Sequence, residues 1–423
     1  MLICRHITPD SDAHVVWFTG RGIDHFLVCP TCAVKFPDPP PDLIEASPEL
    51  LDSIGYVFCC EGVCGAPEVL SRDTTLRFLH QEFASPLPAD LRMLDIVPDR
   101  NSKSDWLCLT SDGSLYRLDI RRSRAEKLFS WTAFGFELND ETVLCCAPQT
   151  DYGAVYQASG QMGFVFDMAT GAVKTLLNRG DYRPENSHFP VAFFQAQGRT
   201  LLIAATSWNR LDIIDPATCE TLTTRSPTSY QGGESRPEHY LDYFHAQLLV
   251  SPDNGWVVDN GWVWHPVGIV RAWNLHHWLA LNPWESEDGN SLRELASRLN
   301  YWDGPICWID STTVAVWGWG SDDDWLVSAV RLIDVESGRD LKWFPGPCVR
   351  PAEAWPPKKV APSLFFDKYL FSVSDDIGAA VWDIATGERL HADAPFVPVQ
   401  YHSRSQEFLT LTTSGFRLSR IVA

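Results

Sequence analysis

Six short segments of this chain share one pattern: a few apolar residues, an acid or its amide stand-in, then a polar turn. They are Leu118-Asp119-Ile120, Phe166-Asp167-Met168, Ile214-Asp215-Pro216, Trp273-Asn274-Leu275, Ile333-Asp334-Val335 and Trp382-Asp383-Ile384. Three run on in nearly the same wording, as Met168-Ala169-Thr170-Gly171, Val335-Glu336-Ser337-Gly338 and Ile384-Ala385-Thr386-Gly387. The steps between the acid positions are 48, 48, 59, 60 and 49 residues. A period of that size marks one supersecondary unit copied around an axis. Such an architecture carries many activities, so the repeat by itself names none.

Each period accommodates four short strands. In the clearest unit these are Ser363 to Phe366, Lys368 to Val373, Gly378 to Ile384 and a strand begun by Arg389-Leu390. Ser374-Asp375-Asp376 supplies the middle turn, and alternating Val, Ala, Trp and Ile supply the pleat. The expected fold is all-β: a seven-bladed β-propeller of four-stranded antiparallel blades. The first six blades are expected at about 91–129, 142–176, 191–222, 243–279, 305–344 and 363–390. The last has only three strands of its own, near Phe396 to His402, Glu407 to Thr412 and Gly415 to Ile421. A strand at 74–80 is expected to complete it, which removes an exposed sheet edge. The chain then divides into a cysteine-rich module, 1–72, and the ring, 73–423.

The stretch Ser374-Asp375-Asp376-Ile377-Gly378-Ala379-Ala380-Val381-Trp382-Asp383-Ile384-Ala385-Thr386-Gly387 resembles the end of a WD40 repeat blade. Across the rest of 90–423 the likeness is looser: no Gly-His pair occurs, and a strand ends in Trp-Asp only at Trp382-Asp383. The resemblance implies the propeller architecture.

Charge narrows the partners. The 423 residues carry a net charge of −20 with a pI near 4.9, which disfavours nucleic acid, whose phosphates need clustered Lys and Arg, and disfavours anionic membrane surfaces. No apolar run approaches the ~20 residues of a membrane span, and Met1-Leu2-Ile3-Cys4-Arg5-His6 opens no stretch of signal-peptide length. A cytoplasmic location is expected. The 12 Cys are then reduced thiols. Cys108, Cys145, Cys146, Cys219, Cys307 and Cys348 read as small core or turn residues.

The other cysteines crowd into the first 64 positions. Cys4-x-His6 precedes a strand-like run from His14 to Phe18, Gly20-Arg21-Gly22 turns the chain, His25 to Val28 returns it, and Cys29-Pro30-Thr31-Cys32 follows. Two short-spaced ligand pairs bracketing a hairpin fit a zinc ribbon, with Cys4, His6, Cys29 and Cys32 holding a structural Zn²⁺. So small a hairpin buries too little apolar surface to hold itself without such a clip. Cys59, Cys60 and Cys64 are alternates: one of them can replace Cys4 or His6, or two can take a second ion with His14 or His25. Plain reduced thiols or a redox dithiol at Cys29 and Cys32 are the competing assignments. The prolines of Phe36-Pro37-Asp38-Pro39-Pro40-Pro41 make a stiff spacer.

The aromatic residues point to an interaction surface. Blades four and five are expected to carry the longest insertions: Asn260 to Val267 between the second and third strands of blade four, and Asn282 to Gly304 between the blades, with a capping box at Ser291-Leu292-Arg293-Glu294 starting a short helix. Both, with the crossover holding Glu234, Glu238, His239 and Tyr240 and the loop Ser321-Asp322-Asp323-Asp324-Trp325, are expected at one rim. Binding residues gather on loops of rigid scaffolds, and Trp and Tyr anchor protein contacts. Trp262, Trp264, His265, Trp284, Tyr301, Trp302 and Trp325 are therefore the candidate contacts for a protein or peptide carrying basic residues. The competing assignment packs these rings within their own blades.

No Gly-rich phosphate loop, His-Glu-x-x-His or Gly-x-Ser-x-Gly occurs. A non-catalytic interaction scaffold leads. A hydrolase or lyase would draw on Asp259, His265, Asp303 and Glu238 above the channel, with one carboxyl pKa raised. A sugar- or small-ligand-binding propeller is the third possibility.

Overall fold

The computed structural model describes residues 76–423, apart from 133–134, 150, 231–234, 265–266, 300, 302, 320–326, 346–362 and 375–377, together with the backbone of strands at Leu2–Ile3, His14–Gly20, Gly22–Val28 and Ile44–Glu45. Seven four-stranded antiparallel sheets follow one another around a ring. Six take their strands in simple chain order, and the fourth strand of the seventh, Arg77–Ala84, comes from ahead of blade one. It pairs along the whole length of Gly415–Val422, from Gly415 opposite Ala84 to Val422 opposite Arg77. The closing strand thus runs four residues beyond the expected 74–80, because its eight-residue neighbour offers partners that far. Among the described residues, no helix is long and apolar enough to cross a membrane.

In an antiparallel blade the third-to-fourth turn lies at one end, here called the lower rim, with the first-to-second turn. The second-to-third turn and the crossover to the next blade lie at the upper rim. The repeated acid builds the lower rim. Asp119, Asp167, Asp215, Asp334 and Asp383 each accept a backbone N–H two or three residues on, a turn in which the side chain mimics a backbone carbonyl. Four residues past the acid the chain takes positive φ, at Ser123, Gly171, Cys219, Gly338 and Gly387. Gly171 is also needed for space, since a Cβ there would lie 2.6 Å from the Phe129 ring of blade one.

Blade four departs from expectation. Its first three strands are Phe244–Val250, Trp256–Val263 and Val267–Asn274, and its fourth is Arg293–Leu299. Asn260 to Val267 is therefore no insertion: it lies on a long hairpin, with Asn260 opposite Val270 and Val263 opposite Val267. The long excursion falls inside the blade, between strands three and four. It holds two short helices, α1 (Leu275–Ala280) and α2 (Glu285–Asp288). Asn274 keeps the repeat's acceptor role but caps α1, taking the His277 N–H at 3.0 Å. Ser291 to Glu294 starts no helix. The Ser291 hydroxyl donates to Glu285 at 2.5 Å and accepts the Asn274 N–H at 2.9 Å, and Arg293 and Glu294 join a strand opposite Ala272 and Arg271. With its N–H groups committed to the sheet, the capping pattern has no helix to cap. This excursion leaves from the lower rim, whereas the end of the expected insertion, Asp303 and Gly304, belongs to the upper-rim crossover to blade five, and Trp284 and Asp288 of the excursion meet His239 of the crossover from blade three.

The core lies between blades. Leu107, Leu115, Phe164 and Phe166 join blades one and two; Val258, Val270, Val314 and Ile333 join four and five; Trp317, Val330, Leu370 and Trp382 join five and six. Trp106 and Leu118 of blade one pack with Leu409 and Leu418 of blade seven, shutting the ring. Many of the tryptophans are core fillers: Trp106, Trp273, Trp278, Trp317 and Trp382 are fully buried. In blade six the Trp382 indole donates to the Ser372 hydroxyl at 2.9 Å.

Candidate aromatic interaction face

Five rings, from the crossover between blades two and three and from blades three and four, stack into one ladder on the upper rim. Tyr182 lies 5.0 Å from Trp208 and 6.1 Å from Phe244. Trp208 lies 4.7 Å from Phe244, and Phe244 stacks on Trp262 at 4.5 Å and 9°. Trp264 stands edge-on to both, 5.3 Å from Phe244 and 5.0 Å from Trp262. The middle is buried, with Phe244 at 1% and Trp262 at 4% exposure, while the ends are open, with Tyr182 at 49% and Trp264 at 41%. Tyr230 and Tyr240 form a second edge-to-face pair at 5.2 Å on the crossover from blade three to blade four.

Buried polar groups hold each piece in place. Tyr182 sits on the crossover between blades two and three, which Arg179 pins: its guanidinium, 3% exposed, donates to the carbonyls of Gly160, Pro184, Ser187 and His188 and to the Ser187 hydroxyl. Burial pushes the Arg179 pKa down to about 9, which leaves the charge in place at neutral pH. Trp208 occupies the second-to-third turn of blade three beside Asn209, which is fully buried. The Asn209 amide donates to Thr228 O at 3.2 Å and Leu241 O at 2.8 Å, fastening both ends of the crossover that carries Tyr230 and Tyr240. Below it, Asp212 takes Arg210 at 2.8 Å, Arg225 at 2.6 Å, Thr206 at 2.5 Å and Thr223 at 3.1 Å. Arg225 reaches on to buried Glu287 of α2, tying blade four's excursion to blade three.

The surroundings are acidic. Asp181, Glu185, Glu238 and Asp242 are exposed on the two crossovers. The arginines there are engaged: Arg183 lies 3.8 Å from Glu185, and Arg236 stands 4.2 Å over the Tyr240 ring. Burial, then Asp242, raises the Tyr240 hydroxyl pKa, so Tyr240 is neutral at physiological pH.

The expected contact residues are distributed unevenly. Trp264 is open on the ladder and Trp262 supports it from beneath. Trp284 lies on the excursion that leaves blade four at its lower rim and reaches the crossover from blade three, whose His239 ring stacks on it at 4.1 Å; the His239 Nδ1 meets Asp288 at 2.7 Å and Arg225 stands 5.3 Å from the Trp284 ring. Tyr301 is buried at 4%, packed 5.1 Å from Trp317. His265, Trp302 and Trp325 lie outside the described residues, as do Glu234 and 321–324. Tyr182, Trp208 and Phe244, which complete the ladder, were not among the expected residues. They come from three separate segments, and the one local hint was a Trp-Asn pair at a strand-to-strand turn.

Of the four acid–base candidates, His265 lies outside the described residues, and the other three sit in different surroundings. Asp259 is fully buried, 2.5 Å from the Nδ1 of buried His245, and accepts the Ala246 N–H at 3.1 Å. Glu238 is exposed on the crossover, and Asp303 is half-buried at a positive φ of 64°. Burial pushes the Asp303 carboxyl up to about 6, against the opposing pull of the Arg298 guanidinium. Arg298, itself fully buried, donates to Asn260 and to Trp317 O.

Cys4, His6, Cys29, Cys32, Cys59, Cys60 and Cys64 lie outside the described residues. Among the described residues, no group of three or more His, Cys, Asp or Glu is arranged to hold a metal. Cys108, Cys145, Cys146, Cys219 and Cys307 are free thiols. The chain matches no protein-family model, and no curated protein matches it.

Proposed function

We propose that this propeller is a non-catalytic interaction scaffold whose upper face, over blades three and four, binds a basic segment of a protein or peptide partner. The observation that carries the reading is the ladder with a buried middle and open ends, Tyr182 and Trp264, framed by exposed acids. Rigid aromatic anchors give contact area at low entropic cost, and their faces attract Lys and Arg. The supporting polar groups keep the loops preorganised, which spares the ordering cost of binding. The resemblance to WD40 repeats belongs to the same proposal, supported by 374–387 and the Trp382–Ser372 hydrogen bond.

A structural zinc in the N-terminal module is proposed as well. Leu2–Ile3 and Gly22–Val28 run parallel, with Ile3 opposite Leu27. In the sequence Cys4-x-His6 follows directly on the first of these strands and Cys29-x-x-Cys32 on the second, with Cys59, Cys60 and Cys64 as alternates. The free thiols of the ring suit a reducing, cytoplasmic setting.

The test is fluorescence anisotropy with labelled Lys/Arg-rich peptides and acidic peptides of equal length. The wild type should prefer the basic set, and the Tyr182→Ala/Trp264→Ala protein should bind it about tenfold or more weakly. Equal affinity in the double variant would remove the assignment.

A further inference from the structure

The lower rim holds a second feature, at the seam between blades seven and one. A cleft of about 370 Å³ is lined by Lys103, Arg121, Arg404, Arg420, Ser405 and Glu407, among others. Its walls are the first-to-second turn of blade one, the third-to-fourth turn of the same blade, the first-to-second turn of blade seven and that blade's last two strands. In a chain with 54 acids and 34 Lys and Arg, these six residues bring four cations to one acid.

The acid is already used. Glu407 is 4% exposed and takes the Arg121 guanidinium, which also donates to Gln81 at 3.0 Å and lies 5.6 Å from the Phe83 ring. That pair forms a neutral, fixed wall. Lys103, Arg404 and Arg420 are exposed, and none has an ion pair among the described residues. The Ser405 hydroxyl, buried within the lining, has no hydrogen-bond partner among the described residues. Three like charges held around one cleft repel one another until an anion enters, and an unmatched buried hydroxyl wants a partner.

We propose that this cleft is a binding site for a small phosphomonoester. A phosphate group carries about −1.5 to −2 charges at neutral pH and three acceptor oxygens, which matches three unpaired cations and one hydroxyl better than a single carboxylate does. Arg and Lys are the residues that hold phosphate. The volume admits a small organic remainder beside the phosphate and falls at the low end of small-molecule pockets. The site lies at the opposite rim from the aromatic face and stands independently of it.

Calorimetric titration of the full chain in phosphate-free, low-salt buffer tests this, with inorganic phosphate, glycerol phosphate and succinate as probes. Glycerol phosphate should bind one site per chain, more tightly than inorganic phosphate, with succinate weaker than either. In the Arg404→Gln/Arg420→Gln protein, both of whose changed side chains are exposed and unpaired, glycerol phosphate affinity should fall about tenfold or more with the thermal midpoint of the unliganded protein unchanged. Ser405→Ala should weaken it further by a smaller factor. No phosphate binding to the wild type, equal binding in the double variant, or succinate as tight as glycerol phosphate would each overturn the proposal.

Discussion

The lower rim of blades one, two, three, five and six and the upper face of blades three and four are built by opposite rules. The lower rim repeats: the same acid accepts N–H groups of the same turn, and the same position, four residues on, takes positive φ. The upper face has no repeat. It is assembled from two long crossovers and two strand turns, with Arg179 pinning the first crossover and Asn209 and the Asp212 cluster holding the second. Repetition at one rim shows what the fold needs of every blade. Departure at the other shows where side chains are arranged beyond the needs of folding.

That contrast can be broken most severely beneath the upper face. Arg225→Met would strand Asp212 and Glu287 as buried carboxylates with one cation fewer, and should cost about 3–5 kcal/mol of stability, read as a lower urea midpoint. Trp262→Ala should cost about 3–5 kcal/mol, the range for emptying a buried ring, whereas Trp264→Ala, two residues on but open to solvent, should cost less than about 1 kcal/mol. If both cost the same, the division of the ladder into support and contact fails. On the lower rim, Asp167→Ala and Asp383→Ala should each cost about 1 kcal/mol, additively because the turns are separate. The Thr170 hydroxyl hydrogen bond, first among several, lowers the Asp167 pKa, so its contribution is present above the ordinary carboxylate range and is lost as pH falls below it. Asn274→Ala should cost a similar amount by uncapping α1 rather than by opening a turn.

A pH-dependent effect concerns Asp303. Its carboxyl is raised to about 6, so the folded chain holds that proton more tightly than the unfolded one. The group therefore favours folding at low pH and withdraws that contribution as pH rises from about 4 through about 6. Asp303→Asn should flatten this part of the stability–pH curve; an unchanged curve would show that the carboxyl titrates normally.

The same contrast explains what could be read from the sequence. Asp167, Asp334 and Asp383 announce their turns because side chain, turn and following glycine are neighbours in the chain. The blade count and the closing strand follow from that spacing. Blade four shared the wording at Trp273-Asn274-Leu275, yet its acceptor caps a helix, and the Ser291-to-Glu294 pattern serves a latch to Glu285 and a strand. Local pattern does not say which N–H groups tertiary pairing will claim. Tyr182, Trp208 and Phe244 meet only because the ring brings one crossover and two blades together, and no spacing between them marks that meeting. Trp262 and Trp264 were legible as a pair, but not which of them would face solvent.

The claim that the aromatic face is the binding face is tested most directly by hydrogen exchange of the wild-type protein with and without a saturating Lys/Arg-rich peptide. Added protection should appear at 179–188 and 228–243, the crossovers bearing Tyr182, Tyr230 and Tyr240, and at the turn beside Trp264. Protection confined to the lower rim, or none in these segments while the peptide is bound, would contradict it.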